Sequence, residues 1–250
     1  MKAMVFAAGL GTRLKPLTDS MPKALVPVCG QPLLYHVICK LRDSGYDEIV
    51  VNVHHFAGQV RDYLATHDFG VRISISDESE ELLETGGAIL HARELLTDCS
   101  AFLVHNVDIV SDLDLVWFRE QMRPGALATL LVSERKTQRY LLFDDDMRLV
   151  GWTNVATGEV RSPFPDLKPE ECRRYAFAGI HDISPAIFGA FGEYGFGGRF
   201  PIMDFYLRAC ADYPIYGAVP QCLTLVDAGK VEALPEAERI LRMESSTAGR

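Results

Sequence analysis

The stretch Phe6–Val28, FAAGLGTRLKPLTDSMPKALVPV, is the most informative segment of the sequence. Residues 2–7, which overlap the start of this stretch, are mostly apolar and predict a short strand that is ended by a glycine. The two glycines allow backbone N–H groups to approach an anion closely, while Arg13 and Lys23 add positive charge. Because ligands of an open α/β sheet bind beyond the carboxyl ends of its strands, we expect this opening stretch to bind phosphate.

Two other glycine-rich motifs do not fit the opening stretch. A P-loop requires GxxxxGK followed by serine or threonine, and no such sequence follows the second glycine. A Rossmann fingerprint requires a third glycine or an alanine, where this chain has Leu14. It also requires a carboxylate at the end of the second strand, which here finishes as NVHH, residues 52–55. Both motifs are therefore excluded.

Composition and charge narrow the class of protein. The 250 residues are 48% hydrophobic, enough to pack the core of one large α/β domain. The net charge of −9 argues against general affinity for nucleic acid or anionic lipid, so the expected partners are small molecules. The six cysteines form no CxxC pair and no stretch has the length of a membrane span, which predicts a cytoplasmic protein. Oligomeric state does not follow from these features.

Hydrophobic periodicity alternates between strand and helix patterns through the first half of the chain. Strands are predicted over residues 48–54, 71–76, 101–110 and 127–133, and helices over 32–42, 56–67, 87–96 and 113–122. This alternation predicts crossover units, and hence a Rossmann-like α/β fold with a mostly parallel mixed sheet and flanking helices. Later strands are predicted over 140–143, 149–152, 175–183 and 222–227, with DDDM (144–147) as a hairpin turn between the first two, and later helices over 202–213 and 230–243.

The opening stretch resembles the signature of the sugar-1-phosphate nucleotidyltransferases, which is AAGxGTR, then PLT, PK and P. These elements stand at residues 7–13, 16–18, 22–23 and 27. The resemblance continues at ETGG (84–87), FAGI (177–180) and VDAG (226–229), and so covers almost the whole chain. It implies the nucleotide-diphospho-sugar transferase fold in a single domain, 1–244, followed by a frayed tail, 245–250. Residues 1–133 would bind the nucleotide, and residues 134–229 would bind the sugar and supply a second metal ligand.

The resemblance implies a Mg²⁺-dependent attack by a sugar-phosphate oxygen on the α-phosphorus of a nucleoside triphosphate. That oxygen is already ionised, so positioning and charge neutralisation supply the catalysis. Short bacterial N-acetylmuramate-1-phosphate uridylyltransferases and mannose-1-phosphate guanylyltransferases are the most similar members, which favours UTP with N-acetylmuramate 1-phosphate or a similar hexose phosphate. The alternatives are GTP with mannose or heptose 1-phosphate, CTP with phosphocholine, and an inactive regulator that binds nucleotide sugars.

Site residues are carried over from the family motifs. The predicted catalytic residues are Arg13, Lys23 and Asp108, and the predicted metal ligands are Asp108 and Asp227. The predicted nucleotide-binding residues are Ala7, Ala8, Gly9, Gly11, Thr12, Arg13, Lys23, Glu84 and Gly87. The predicted sugar-binding residues are Asn106, Asn154, Gly179 and Asp204. Several of these residues have a structural alternative: solvated charge for the basic residues, a strand-end or turn cap for the aspartates and Asn154, and a helix N-terminal acid for Glu84.

The chain also departs from the family pattern at three places. Val107 replaces the glycine usual before the first metal aspartate, and the turn after the second is Gly229-Lys230-Val231 instead of Gly-Thr-Pro. No lysine near Trp152 matches the second catalytic lysine of many relatives. These departures concern the sugar pocket more than the reaction.

Overall fold

The structure is a computed structural model and describes residues 1–247. Its strands are β1 (Lys2–Phe6), β2 (Pro27–Val28), β3 (Gln31–Pro32), β4 (Glu48–Val53), β5 (Arg72–Asp77), β6 (Phe102–Asn106), β7 (Ile109–Ser111), β8 (Ala128–Ser133), β9 (Arg139–Phe143), β10 (Leu149–Asn154), β11 (Glu159–Arg161), β12 (Arg173–Ile183), β13 (Ile215–Ala218) and β14 (Leu225–Asp227). Its α-helices are α1 (Leu33–Asp43), α2 (Ala57–Thr66), α3 (Glu84–His91), α4 (Arg93–Leu96), α5 (Leu115–Glu120), α6 (Ile187–Glu193), α7 (Ile202–Ala209) and α8 (Leu234–Thr247).

The chain divides into two compact units. The first unit comprises residues 1–82, 104–116 and the chain from Cys222 onward, and the second comprises 83–103 and 117–221. The prediction of a single domain over 1–244 remains a prediction, with its boundary at 133 lying inside the second unit. The predicted tail begins within α8, and its last three residues lie outside the described part of the chain.

The first unit is built on parallel strands. β1 pairs with β4 in the register Lys2↔Glu48 to Phe6↔Asn52, and β4 pairs in parallel with β5. α1 buries the apolar face that its periodicity predicts, and the buried residues are Leu33, Leu34, Val37, Ile38 and Leu41. β7 and β14 form a separate antiparallel ribbon with Ile109 opposite Asp227. Parallel pairing places the carboxyl ends of β1 and β4 at one edge of the sheet.

The second unit contains a mixed sheet. Its strand order runs β11-β10-β9-β12, and β8 lies between β12 and β13. β8 pairs antiparallel with β12 and parallel with β13, and the other pairs in this order are antiparallel. The DDDM turn joins β9 to β10 as predicted, because Asp144 Oδ1 accepts the N–H groups of Asp146 and Arg148. The mixed sheet with flanking helices confirms the predicted fold class.

Several predicted elements differ in their bounds. The single helix predicted over 87–96 is two helices, α3 and α4. The helix predicted to reach 213 ends at Ala209, since Pro214 disfavours helical backbone just before it. The short elements α6 and β13 were not predicted, because each contains glycine and has a weak propensity signal. Within the described residues, every helix is too short or too polar to cross a bilayer.

Candidate active site

The opening stretch leaves β1 in a conformation that requires glycine at position 11. Gly11 has φ +63°, and a Cβ there would lie 2.9 Å from the Lys23 Cβ and 2.9 Å from the Thr18 Cγ2. The Thr18 hydroxyl donates to the Gly11 carbonyl at 2.8 Å and so fixes this turn. Thr12 and Arg13 lie between Gly11 and Thr18 and are exposed, as is Gly9 before the turn. The backbone that is predicted to bind phosphate therefore lies on a turn whose conformation is fixed by Gly11 and Thr18.

The first two amides after β1 are already hydrogen-bonded to protein. Ala7 and Ala8 donate their N–H groups to Asn52 Oδ1, at 2.7 and 3.2 Å. Both alanines are buried, so these two N–H groups are satisfied without a ligand. Sequence reasoning missed Asn52, although a single amide in the apolar run EIVVNV was the signal that marked it.

Lys23 and Asp108 form an ion pair in the first unit. The Lys23 Nζ contacts Asp108 Oδ2, and the two side chains are 14% and 9% exposed. Burial raises the pKa of the Asp108 carboxyl, and the Lys23 ammonium acts in the opposite direction. The structure thus brings together two of the three predicted catalytic residues. Asn106, a predicted sugar-binding residue, ends β6 two positions before Asp108.

Asp227 reaches the same place through the β7–β14 ribbon. The Ala228 N–H donates to the Asp108 carbonyl at 2.8 Å, which ties the end of β14 to the residue before β7. Although burial acts to raise it, the pKa of Asp227 is lowered by hydrogen bonds from the Asp108 carboxyl and the Gly229 N–H and by the charge of Arg13. Arg13 Nη2 lies 3.5 Å from Asp227 Oδ2. Two carboxylates and two basic side chains therefore share one site.

Gly229 is a further residue of this site that the sequence did not single out. A Cβ at this position would lie 2.7 Å from Asp227 Oδ1, 2.8 Å from Asp108 Oδ2 and 2.8 Å from Arg13 Nη2. A side chain would therefore fill the space into which both carboxylates face. The departure of this turn from the family pattern leaves the required glycine in place.

The ETGG segment is held within the second unit by residues 198–202. Glu84 begins α3 with φ +61°, and Arg199 Nε and Nη2 each lie 2.9 Å from its Oε1. The N–H groups of Gly86 and Gly87 point to the Phe200 carbonyl, at 2.9 and 3.2 Å. A Cβ on Gly86 would overlap the Phe200 ring, so close packing explains this glycine. Arg199 and Phe200 were not predicted, because no local pattern links them to residues 84–87.

The remaining predicted sugar-binding residues also lie in the second unit. Asn154 ends β10, and its Oδ1 accepts the Ala156 N–H at 3.0 Å, as its turn-capping alternative predicts. Asp204 lies in the first turn of α7, with its Oδ1 3.6 Å from Arg161 Nη1. Gly179 has φ +77° at the irregularity of β12. Their assignment to sugar remains a prediction.

Asp108 and Asp227, two carboxylates of the first unit, would supply only part of the coordination of a metal ion. Among residues 1–247 there is no group of three histidine, cysteine, aspartate or glutamate side chains that could hold a metal ion. Asp108 and Asp227 nevertheless offer hard oxygen donors into the space kept open by Gly229. Mg²⁺ commonly takes one or two carboxylates and completes its coordination with water and substrate phosphates. Two carboxylates therefore suit Mg²⁺ bound together with a phosphate substrate.

Comparison with known proteins defines the class. The family model for nucleotidyl transferase matches residues 2–140, so the chain belongs to the nucleotidyl transferase family and the predicted family is confirmed. N-acetylmuramate alpha-1-phosphate uridylyltransferase of Caulobacter vibrioides is 33% identical over 233 residues, covering 88% of this chain and 89% of that protein. Mannose-1-phosphate guanylyltransferase catalytic subunit beta of Danio rerio is 33% identical over 153 residues, covering 58% of this chain and 42% of that protein.

A solved structure shares the fold. HddC from Yersinia pseudotuberculosis, complexed with GMP-PN, gives a TM-score of 0.74 over 96% of this chain and 99% of that chain, at 22% identity. At this identity the likeness describes the fold alone.

Proposed function

We propose that the protein transfers a nucleotidyl group from a nucleoside triphosphate to a sugar 1-phosphate. A sugar-phosphate oxygen forms a bond to the α-phosphorus, the bond from that phosphorus to the bridging oxygen of the β-phosphate breaks, and pyrophosphate leaves. The convergence of Arg13, Lys23, Asp108 and Asp227 carries the proposal. It provides the charge neutralisation on which phosphoryl-type transfer depends.

The two basic residues have different parts in the proposed reaction. Arg13, whose side chain is 52% exposed, binds the β- and γ-phosphates that leave as pyrophosphate. Lys23 binds the α-phosphate or the sugar phosphate, and in exchange gives up part of its contact with Asp108.

Asp108 and Asp227 are the residues that hold Mg²⁺ in this proposal. When bound, the ion neutralises phosphate charge and polarises the phosphorus centre. The side chains of Asp108 and Asp227 supply two anionic oxygen ligands, and the burial of Asp108 keeps bulk water from competing for its oxygens.

We infer that the nucleotide is UTP and the acceptor N-acetylmuramate 1-phosphate or a similar hexose phosphate. The name and 88% coverage of the Caulobacter relative support this choice. The ion pair of Glu84 with Arg199 supports it further. A carboxylate engaged by arginine is a poorer acceptor for the N1–H and amino groups of guanine, whereas uracil matches backbone N–H and C=O groups. The guanylyltransferase relative makes GTP with mannose 1-phosphate the second candidate.

A substrate panel tests the reaction and the base separately. Purified protein with Mg²⁺ is assayed with UTP, GTP, CTP, ATP and dTTP against N-acetylmuramate, mannose and glucose 1-phosphates and phosphocholine. Pyrophosphate release and product mass are measured. UTP is expected to have the highest kcat/KM; an advantage of about tenfold for GTP, equal to about 1.4 kcal/mol, would overturn the base assignment alone. Failure of every pair to release pyrophosphate would contradict the reaction.

The Arg199 contact has its own experiment. Arg199→Ala frees the Glu84 carboxylate, so the ratio of kcat/KM for GTP to that for UTP is expected to rise. Arg208→Ala is the matched control, because it removes an arginine of the same unit that lies over the Phe196 ring. An unchanged ratio in Arg199→Ala would show that Glu84 does not take part in base selection.

A further inference from the structure

The side chain of Asn52 completes the hydrogen bonding of the opening stretch where the sheet can no longer do so. The β1–β4 ladder ends at the pair Phe6↔Asn52. Beyond it, the N–H groups of Ala7 and Ala8 both donate to Asn52 Oδ1, at 2.7 and 3.2 Å. Two consecutive amides that converge on one oxygen require the backbone to turn away from the strand direction at this point. The amides left for a phosphate therefore begin at Gly9.

A buried carboxylate sets the orientation of the Asn52 amide. Asn52 Nδ2 donates to Glu78 Oε1 at 2.7 Å, and each of the two residues is only 3% exposed. Since Nδ2 can only donate and the Glu78 oxygen accepts, Asn52 Oδ1 must face the two backbone N–H groups.

Glu78 is in turn fixed to the end of β4. Its N–H donates to the Val53 carbonyl at 2.8 Å. Its own carbonyl lies 2.6 Å from His54 Nδ1, which must be the donor because a carbonyl only accepts. The chain of contacts thus runs from the ends of β4 and β5 through two buried side chains to the first turn of the opening stretch.

We propose that Asn52 and Glu78 are a positioning pair that holds the opening stretch in the conformation that binds the triphosphate. This inference rests on the proposed function for its catalytic consequence. Neither residue touches substrate in this scheme; they act through the backbone of Ala7 and Ala8. The pairing requires one side-chain amide and one carboxylate in contact, with an oxygen at position 52 facing the two backbone N–H groups. Combining Asn52→Asp with Glu78→Gln exchanges the two functional groups and meets the same requirement at the same total charge.

Kinetics of four variants test the pair. Asn52→Ala removes the acceptor and is expected to lower kcat about 10- to 100-fold, as misplaced catalytic groups do. Asn52→Asp places two buried carboxylates in contact and is expected to be as harmful. Glu78→Gln alone keeps an acceptor for Asn52 Nδ2 and should be mild. Adding Glu78→Gln to Asn52→Asp restores the pairing, with the amide at position 78 as donor and the carboxylate at position 52 as acceptor. The double variant should therefore recover most of the activity.

Val50→Ala is the matched control. Val50 lies two positions earlier on β4, on the same side of the strand, and is 3% exposed. Its truncation lowers the melting temperature by loss of packing and leaves the hydrogen bonds of the opening stretch intact. If Val50→Ala lowers kcat as much as Asn52→Ala does, or if the double variant stays as impaired as Asn52→Asp, the positioning role is wrong.

Amide hydrogen exchange gives a readout that needs no substrate. Asn52→Ala is expected to speed exchange in peptides spanning residues 7–13 well beyond the change in Val50→Ala. Unchanged exchange there would overturn the positioning pair, whatever the enzyme does. If wild-type protein releases no pyrophosphate in the substrate panel while exchange responds as expected, the proposed reaction fails and the structural part of the inference stands.

Discussion

Lys23 and Asp108, 85 residues apart, form an ion pair whose side chains are 14% and 9% exposed. Arg13 and Asp227 also pair in this site, but their side chains are 52% and 46% exposed. The two basic residues of the opening stretch therefore differ in what their removal leaves behind. Loss of Arg13 leaves a partly solvated carboxylate, whereas loss of Lys23 leaves a buried one.

The first prediction separates activity from stability at these two positions. Arg13→Ala and Lys23→Ala should both lower kcat/KM strongly, because each removes charge that faces phosphate. Only Lys23→Ala should also lower the free energy of unfolding, by about 3 kcal/mol, the low end for breaking a buried pair. Pyrophosphate-release kinetics and urea unfolding measure the two effects. Lys15→Ala, at an exposed lysine of the same stretch, is the control. Equal stability losses for Arg13 and Lys23 would contradict the difference in burial.

The second prediction concerns the carboxylates. Asp108→Asn and Asp227→Asn each keep the shape and remove an anionic metal ligand, so kcat should fall roughly 100- to 1000-fold in both. The melting temperature should change little in Asp227→Asn, whereas Asp108→Asn should also lower it, because the buried Lys23 ammonium loses its carboxylate. The Mg²⁺ concentration for half-maximal rate should rise in both variants. Asp112→Asn is the control, because its oxygen can still accept the Thr224 N–H. Near-normal turnover of Asp108→Asn at saturating Mg²⁺ would show that Asp108 is not a metal ligand.

The third prediction concerns Gly229. Gly229→Ala places a methyl group within 2.8 Å of both carboxylates and of Arg13, so activity should be lost while the protein stays folded. Gly58→Ala in α2 meets no atom within 4 Å and should raise stability slightly, as alanine does in a helix. Steady-state rates and thermal unfolding of both variants check this. A fully active Gly229→Ala enzyme would refute the view that open space between the carboxylates is needed.

The fourth prediction concerns stability and pH in the second unit. Burial raises the pKa of Asp182 to about 6, opposed by the Ile183 N–H and Arg119, and its Oδ2 has no hydrogen-bond partner among the described residues. The folded protein thus binds this proton more tightly than the unfolded chain does. The contribution of Asp182 to the free energy of unfolding therefore falls as pH rises from about 4 to about 6.

Asp182→Asn should remove that dependence. It should raise the free energy of unfolding at pH 7 by up to about 3 kcal/mol, and the gain should vanish near pH 4. Urea unfolding of both proteins from pH 4 to 7.5 gives the difference. Burial lowers the pKa of neighbouring His181 to about 3, which changes the free energy of unfolding with pH in the opposite direction. Because both proteins contain His181, this effect cancels in the difference between them. Asp166→Asn, which removes a carboxylate at an exposed loop position, is the control. A pH-independent difference for Asp182→Asn would contradict the raised pKa.

Much of the fold, and the need for glycine in the opening stretch, could be predicted from the sequence. The apolar face of α1, the parallel β1 and β4, and the hairpin at Asp144 follow from hydrophobic period and turn chemistry, which act over a few residues. The glycine at position 11 and the basic residues after it are likewise local features. A sequence pattern is sufficient for prediction where the residues that determine a conformation and the residues that adopt it lie in one short segment.

The family motifs implied that Asp108 and Asp227 share a site, but only the tertiary structure decided through which elements these and other distant side chains meet. The β7–β14 ribbon brings Asp227 to Asp108, Asn52 reaches across from β4 to the amides of Ala7 and Ala8, and Arg199 takes the carboxylate of Glu84. Each contact joins segments that are remote in sequence, so no periodicity or motif spacing encodes it. Burial then determines the ionisation of these groups, because a carboxylate removed from water is stable only with a hydrogen-bond donor, a cation or a bound proton. The fold determines which of these three is close to each carboxylate.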